Sequence, residues 1–219
     1  MSDSFICNVL DVGIVSFNDA YKLQLSLVES MRKKNTSPTL ILLEHSHVIS
    51  VGRLGDENDL KIPKADFIKQ GVEIVQADRG GQTTYHGPGQ IIGYPIIKIN
   101  NMQVRNYLRS LETVMIHTLK DFGVDAITIP KKTGVWVNNK KIGSIGIKIS
   151  RGISYHGFAL NVNVDLKYFD NLIVCGDDSF VVSSMEQELG SYINIQEVKQ
   201  NLSIQFCKLL NFTPKYLTD

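Results

Sequence analysis

The run Gly134-Val135-Trp136-Val137, then Lys141-Ile142-Gly143-Ser144-Ile145-Gly146-Ile147-Lys148-Ile149, then Ile153-Ser154-Tyr155-His156-Gly157-Phe158-Ala159-Leu160-Asn161-Val162-Asn163-Val164 decides the fold. Each segment alternates or runs apolar at the period of a strand, whose side chains point to opposite faces in turn. Asn138-Asn139 and Ser150-Arg151-Gly152 separate the segments, and these residue types make hairpin turns. Connections this short join antiparallel neighbours, because a parallel pair needs a long crossover. The stretch therefore predicts an antiparallel meander.

Working outward, β-rich residues predict strands over Cys7–Ile14, Thr39–Glu44, Val48–Val51, Val72–Val75 and Gln90–Ile99. Helical spacing of Tyr21, Leu23, Leu25, Leu27, Val28 and Met31 predicts a helix over Asn18–Arg32, capped by Asn18 or Asp19. A short helix over Lys64–Lys69 ends at Gly71. Tyr107, Leu108, Leu111, Val114, Met115, His117 and Leu119 mark another over Asn106–Phe122, and Ile195–Leu210 is the last. Strands cluster with helices between them, without a regular βαβ repeat. This predicts an α+β fold with a mixed or antiparallel sheet flanked by helices. No repeat or linker divides the chain, so residues 1–219 are expected to form one catalytic domain.

Composition narrows the function. The chain has 219 residues, 43% hydrophobic and 21% charged, with a net charge of +1. That is ordinary globular usage, with no global field toward nucleic acid or an anionic membrane. No apolar run reaches the roughly 18 residues that span a bilayer. Met1-Ser2-Asp3-Ser4 lacks the basic start of a signal peptide, so a cytoplasmic protein is expected. The three cysteines, Cys7, Cys175 and Cys207, are too few and too scattered for a disulfide framework. Without Cys-x-x-Cys or regular Cys/His spacing, neither a metal nor another cofactor is expected.

Four constellations carry chemistry. Arg79-Gly80-Gly81-Gln82-Thr83-Thr84-Tyr85-His86-Gly87-Pro88-Gly89-Gln90 reads either as a tight β-connection or as a backbone cradle for an anionic group, with Arg79 and His86 adding donors. It lacks the Gly-Lys-Ser/Thr of a phosphate loop and the following helix of a dinucleotide site. In Lys141 to Lys148, alternation puts Lys141 on a face with Gly143, Ile145 and Ile147, where burial would make the lysine a usable base; the other reading is a solvated hairpin end. His156-Gly157-Phe158-Ala159 is a strand whose small residues admit close approach, and His156 fits a structural histidine better than a catalyst. Cys175-Gly176 offers a thiol that a nearby lysine would ionise, against the ordinary reading of a buried cysteine. Between Asp125 and Asp165 there is no acidic residue, while Lys131, Lys132, Lys140, Lys141, Lys148 and Arg151 fall there; this is a docking face for an acidic partner or simple hairpin solvation.

The order of Leu43-Glu44-His45, the Arg79 segment, Lys141-Ile142-Gly143-Ser144-Ile145-Gly146, His156-Gly157-Phe158-Ala159-Leu160-Asn161 and Cys175-Gly176 resembles the lipoyl(octanoyl)transferase family, also called lipoate–protein ligase B. The resemblance runs from about Leu42 to Met185. It implies a biotin/lipoate protein ligase-like fold with a class II synthetase-like core. It implies transfer of octanoyl from octanoyl-acyl carrier protein to a lysine amine on the lipoyl domains of 2-oxoacid dehydrogenase E2 subunits and on the glycine cleavage H protein, by a monomer. Cys175 matches the family's thioester nucleophile and Lys141 the lysine that lowers its pKa. Arg79, Gly80, Gly81, Gln82, Thr83, Thr84, Tyr85 and His86, with Ser144, Ile145, Gly146, Gly157, Phe158 and Ala159, match its substrate-contacting segments. Val174 replaces the family's usual proline, and Ser183-Ser184-Met185 its Thr-Ser-Leu. An ATP-dependent lipoate or biotin ligase of the same fold is the alternative, and would have no need of Cys175. A non-catalytic carrier-binding protein would tolerate its loss.

Overall fold

The structure is a computed structural model and describes residues 5–34, 36–99, 102–173 and 181–217. In chain order the elements are β1 (Phe5–Val15), α1 (Phe17–Arg32), β2 (Thr39–His45), β3 (Val48–Val51), a 3-10 turn at Glu57–Asp59, α2 (Lys64–Lys69), β4 (Glu73–Gln76), β5 (Thr84–His86) and β6 (Gln90–Ile96). There follow α3 (Val104–Asp121), β7 (Ile127–Ile129), β8 (Lys132–Val137), β9 (Lys140–Ser150), β10 (Ile153–Asn161), α4 (Lys167–Asp170), α5 (Met185–Leu189), α6 (Ile195–Leu209) and β11 (Phe212–Leu217).

The described strands form an eight-stranded sheet in the order β11-β1-β2-β6-β10-β9-β8-β7 and a three-stranded sheet β4-β3-β5. The meander is present: β8–β9 and β9–β10 pair antiparallel, and β10 continues antiparallel onto β6. β1 runs parallel to both β2 and β11, so the sheet is mixed. α3 and α6 cover one face, burying Tyr107, Leu111, Met115, Val198, Leu202 and Phe206 against Leu42, Ile91, Ile142 and Leu160. α1 covers the other through Ala20, Val28 and Met31 against Ile41, Ile92, Tyr94 and Ala159. A third cluster, around Ile49, Phe67, Tyr85 and Phe169, sits under the small sheet.

Details differ from expectation. Ser16 caps α1, its side chain accepting from the Asp19 N–H. The expected α1 face includes Leu25, which is exposed, while Gln24 is buried. His117 is exposed on α3. β7 and β11 have no sequence expectation. β11 is an edge strand with mostly exposed side chains, so it lacks an apolar run, and an edge tolerates Pro214. No described helix is long and apolar enough to cross a membrane.

Candidate active site

The segment after β4 is held on two sides. Gly80 N–H donates to the Ile147 carbonyl of β9 (2.9 Å), while Arg53 and Leu54 N–H donate to the carbonyls of Arg79 (3.0 Å) and Gly81 (3.1 Å). The Arg79 guanidinium is buried. Its Nη2 donates to the Ser50 carbonyl (2.6 Å) and to Ser50 Oγ (2.7 Å), its Nε to Ser50 Oγ (3.2 Å) and its Nη1 to the Gly80 carbonyl (3.1 Å). Arg79 therefore braces the segment through Ser50 and Gly80. Gly89 N–H likewise goes to Glu44 Oε2 (2.8 Å), so neither it nor Gly80 contributes to an anion nest.

Asp78 ties this segment to α1, β9 and β10. Its carboxylate accepts from His156 Nε2 (2.7 Å), Lys148 Nζ (2.7 Å), Tyr21 Oη (2.9 Å) and Tyr155 Oη (3.1 Å). The His156 hydrogen bond, reinforced by Lys148 and Tyr21, holds Asp78 well below the usual carboxylate range. His156 is buried, and burial pushes its pKa down although Asp78 opposes the shift. Its φ is +53°, and its backbone N–H donates to Gln24 Oε1 (2.7 Å). It is a structural histidine.

Between β5, β6, β9 and β10 lies a cleft with a cavity volume of about 60 Å³. Arg79, Gly81, Gln82, Thr83, Thr84 and His86 line one side, and Lys141, Ser144, Ile145, Gly146, Gly157, Phe158 and Ala159 the other. Gly80 and Tyr85 are not on the wall. Gly80 is bonded to β9, and Tyr85 points to the opposite face of β5, stacked on Tyr168 with its hydroxyl 2.6 Å from His47 Nδ1. Phe17, Ile92 and Tyr94 complete the lining.

Lys141 is 4% exposed. It shares the cleft wall with Ile145, as alternation put it, but also with Ser144 and Gly146, which alternation put on the other face. The reason is a bulge: β8 pairs Val135 with Gly143 but Trp136 with Lys141. Bulges re-aim side chains and recur beside active sites. Gly134, at φ +125°, makes room, since a Cβ there would lie 2.7 Å from Lys141 Cε. The Lys141 ammonium sits 5.6 Å from the centre of the Trp136 ring. Its backbone is fixed to the chain beyond residue 180: Lys141 N–H donates to the Val181 carbonyl (2.8 Å) and Ser183 N–H to the Lys141 carbonyl (2.9 Å). Cys175 itself lies outside the described residues, as does Val174.

Residues 16–207 match the catalytic domain of the lipoyl protein ligase A/B family. The chain belongs to that family. It is 42% identical over 200 residues to an octanoyltransferase of Rubrobacter xylanophilus, covering 90% of each chain. It is 38% identical over 208 residues to one of Solibacter usitatus, covering 94% of each. The enzyme class of these relatives, and of this family member, is acyltransferase. Solved ligases share the fold. A lipoate-protein ligase A bound with ATP superposes with a TM-score of 0.74 at 19% identity, over 99% of this chain and 90% of that one. A biotin protein ligase of Aquifex aeolicus gives 0.53 at 12% identity, over 93% and 68%. The biotin/lipoate ligase-like fold expected from the motifs is the one observed.

For this family member, sequence reasoning missed Asp78 and the three aromatic or aliphatic wall residues. Asp78 precedes Arg79 directly, and that adjacency was the available signal. Tyr94 sits in Gly93-Tyr94-Pro95, an apolar strand that reads as core. Of the basic run, Lys148 is bonded to Asp78 and Lys140 lies 3.7 Å from Glu188. Cys7 and Cys207 are both buried in the core. Among the described residues, no group of three or more His, Cys, Asp or Glu could hold a metal ion.

Proposed function

We propose that this acyltransferase moves an octanoyl group from octanoyl-acyl carrier protein to a lysine amine, through a thioester on Cys175. The observation that supports it best is the burial of Lys141 on the cleft wall, backbone-bonded to the segment that resumes six residues after Cys175, at Val181. That bonding ties Lys141 to the chain just downstream of Cys175. A neighbouring cation lowers a thiol's pKa and makes it nucleophilic at neutral pH.

The Cys175 thiolate attacks the carrier-bound carbonyl, forming one C–S bond as the other breaks. Lys141 gives a proton to the departing carrier thiol. One thioester replaces another, so this step is near thermoneutral. The target amine then attacks, and the amide it forms makes the second step downhill without ATP. Lys141 takes back a proton as Cys175 is released. Gly81, Gln82 and Thr83, on the wall opposite, are the backbone from which N–H groups would hold the oxyanion. Phe17, Ile92, Ile145, Phe158 and Ala159 provide an apolar lining for the tail. At about 0.8 kcal/mol per buried methylene the tail contributes roughly 5 kcal/mol gross.

The acceptors in this reading are the lipoyl domains of 2-oxoacid dehydrogenase E2 subunits and the glycine cleavage H protein, and the enzyme acts as a monomer in the reducing cytoplasm. The test is octanoylation of a purified lipoyl domain from octanoyl-acyl carrier protein in the absence of ATP. Transfer that needs added ATP and free octanoate would replace this reading with a ligase.

A further inference from the structure

The cleft wall carries two acceptors whose lone pairs are fixed by hydrogen-bond logic. A carbonyl only accepts, so the amide atom of Asn161 that meets the Ser183 carbonyl at 2.8 Å is its NH₂. Asn161 Oδ1 must then accept, and it meets Gln90 Nε2 at 2.8 Å. The same Nε2 reaches the Tyr85 carbonyl at 3.4 Å, which fixes Gln90 independently. Gln90 Oε1 is left as an acceptor, 2.7 Å from His86 Nδ1. His86 Nδ1 therefore carries the ring proton. Nε2 keeps its lone pair, on a residue that lines the cleft. The expectation that His86 adds a donor is reversed.

A second chain gives the same sign at Tyr94. His45 Nδ1 donates to the Val15 carbonyl (3.1 Å), so His45 Nε2 accepts the Tyr94 O–H (2.7 Å). The Tyr94 hydrogen is committed, and only oxygen lone pairs remain for the cleft that Tyr94 lines. The His45 ring lies 5.9 Å from both the His86 and the Tyr94 ring, so it packs against both acceptor-bearing side chains. Burial keeps both histidines neutral: His45 is pushed down to about 4, and His86 lies well below its ordinary 6.5. The Arg79 guanidinium donates to Ser50 and Gly80.

We propose that His86 Nε2 and Tyr94 Oη form the amine-receiving side of the cleft, a pair of acceptors that grips the two N–H bonds of an incoming uncharged primary amine. The inference rests on the thioester reading above. An amine held by both N–H bonds has its lone pair left to face the thioester carbonyl. As the C–N bond forms and the C–S bond breaks, one amine proton leaves nitrogen along the N–H···Nε2 bond and Cys175 departs as its thiolate. The ring then passes that proton to Lys141, which the loading step left neutral, and the count closes with no outside co-reactant. Labour is thus divided: Lys141 serves sulfur, and His86 with Tyr94 serves nitrogen.

Half-reactions test this. The octanoyl-enzyme is made from octanoyl-acyl carrier protein and followed by intact mass, then discharged either by a lipoyl-domain lysine or by hydroxylamine, which is uncharged at neutral pH and needs no acceptor to attack. In His86→Asn and Tyr94→Phe, discharge by lysine should fall much further than either loading or hydroxylamine discharge, by roughly 100-fold relative to hydroxylamine discharge for His86→Asn. Equal losses in all three steps would mean a structural role and overturn the proposal, as would lysine discharge that is unaffected. ¹⁵N spectra of the native protein test the tautomer without a variant: Nδ1 protonated supports the assignment, and Nε2 protonated overturns it. If the native chain forms no octanoyl adduct, the thioester reading itself fails, and this inference falls with it whatever the tautomer.

Discussion

Lys141 and the buried histidines set what single residues do here. Lys141→Ala removes the cation from the cleft wall while leaving its apolar lining, so acyl loading should slow by roughly 100-fold or more with substrate affinity little changed. Single-turnover mass kinetics check this, and loading at the native rate would remove Lys141 from the reaction. The histidines predict a pH dependence. His45, His86 and His156 all lie below their ordinary 6.5 in the folded protein because burial disfavours the charged form. The unfolded chain binds their protons first, so stability is full above about pH 6.5 and falls as the pH drops, for His45 down to about 4. Each histidine adds at most about 1.4 kcal/mol per pH unit to the slope. Asp78, held below the usual carboxylate range, keeps its contribution above its ordinary value and loses it only in stronger acid. Chemical denaturation between pH 7 and 5 should show the decline, and His45→Gln should flatten it; a flat native profile would contradict the neutral assignment.

At the scale of elements, the β8–β9 bulge decides which way Lys141 points. Gly134 belongs to that device, with φ +125° and its N–H donated to the buried Glu112 (2.9 Å). Gly134→Ala would set a Cβ 2.7 Å from Lys141 Cε and 2.6 Å from the Gly143 carbonyl. The expected result is a loss of about 1–3 kcal/mol in stability and slower acyl loading with the tail site intact, read from denaturation and single-turnover kinetics. The central elements were legible because their signals are local: alternation in β9 and β10, turn residues at Asn138-Asn139 and Ser150-Arg151-Gly152, helical spacing in α3. The face of Lys141 was not, because a bulge inserts one residue into an otherwise regular count and leaves no compositional mark. β11 escaped for a different reason. Its pairing with β1 is long-range, and its exposed side chains carry no apolar pattern.

Across the whole molecule, the cleft is assembled from segments far apart in the chain, and the order of the motifs conveyed that better than any one of them. The Arg79 segment, Lys141 to Gly146 and Gly157 to Ala159 do meet around one space. What the sequence hid was the use made of each polar group. Arg79 braces, Tyr85 faces the small-sheet core, and His86 Nδ1 is turned onto Gln90, because these roles follow from partners such as Ser50, His47 and Gln90 that only the fold brings near. The fold is shared with a ligase solved bound with ATP, so the proposed covalent step is what would set this chain apart from it. It can be read directly by mixing the protein with octanoyl-acyl carrier protein without ATP and taking an intact mass. The account predicts a hydroxylamine-labile octanoyl adduct that disappears in Cys175→Ser. An unmodified protein, with lipoyl domains octanoylated only when ATP and free octanoate are supplied, would contradict it.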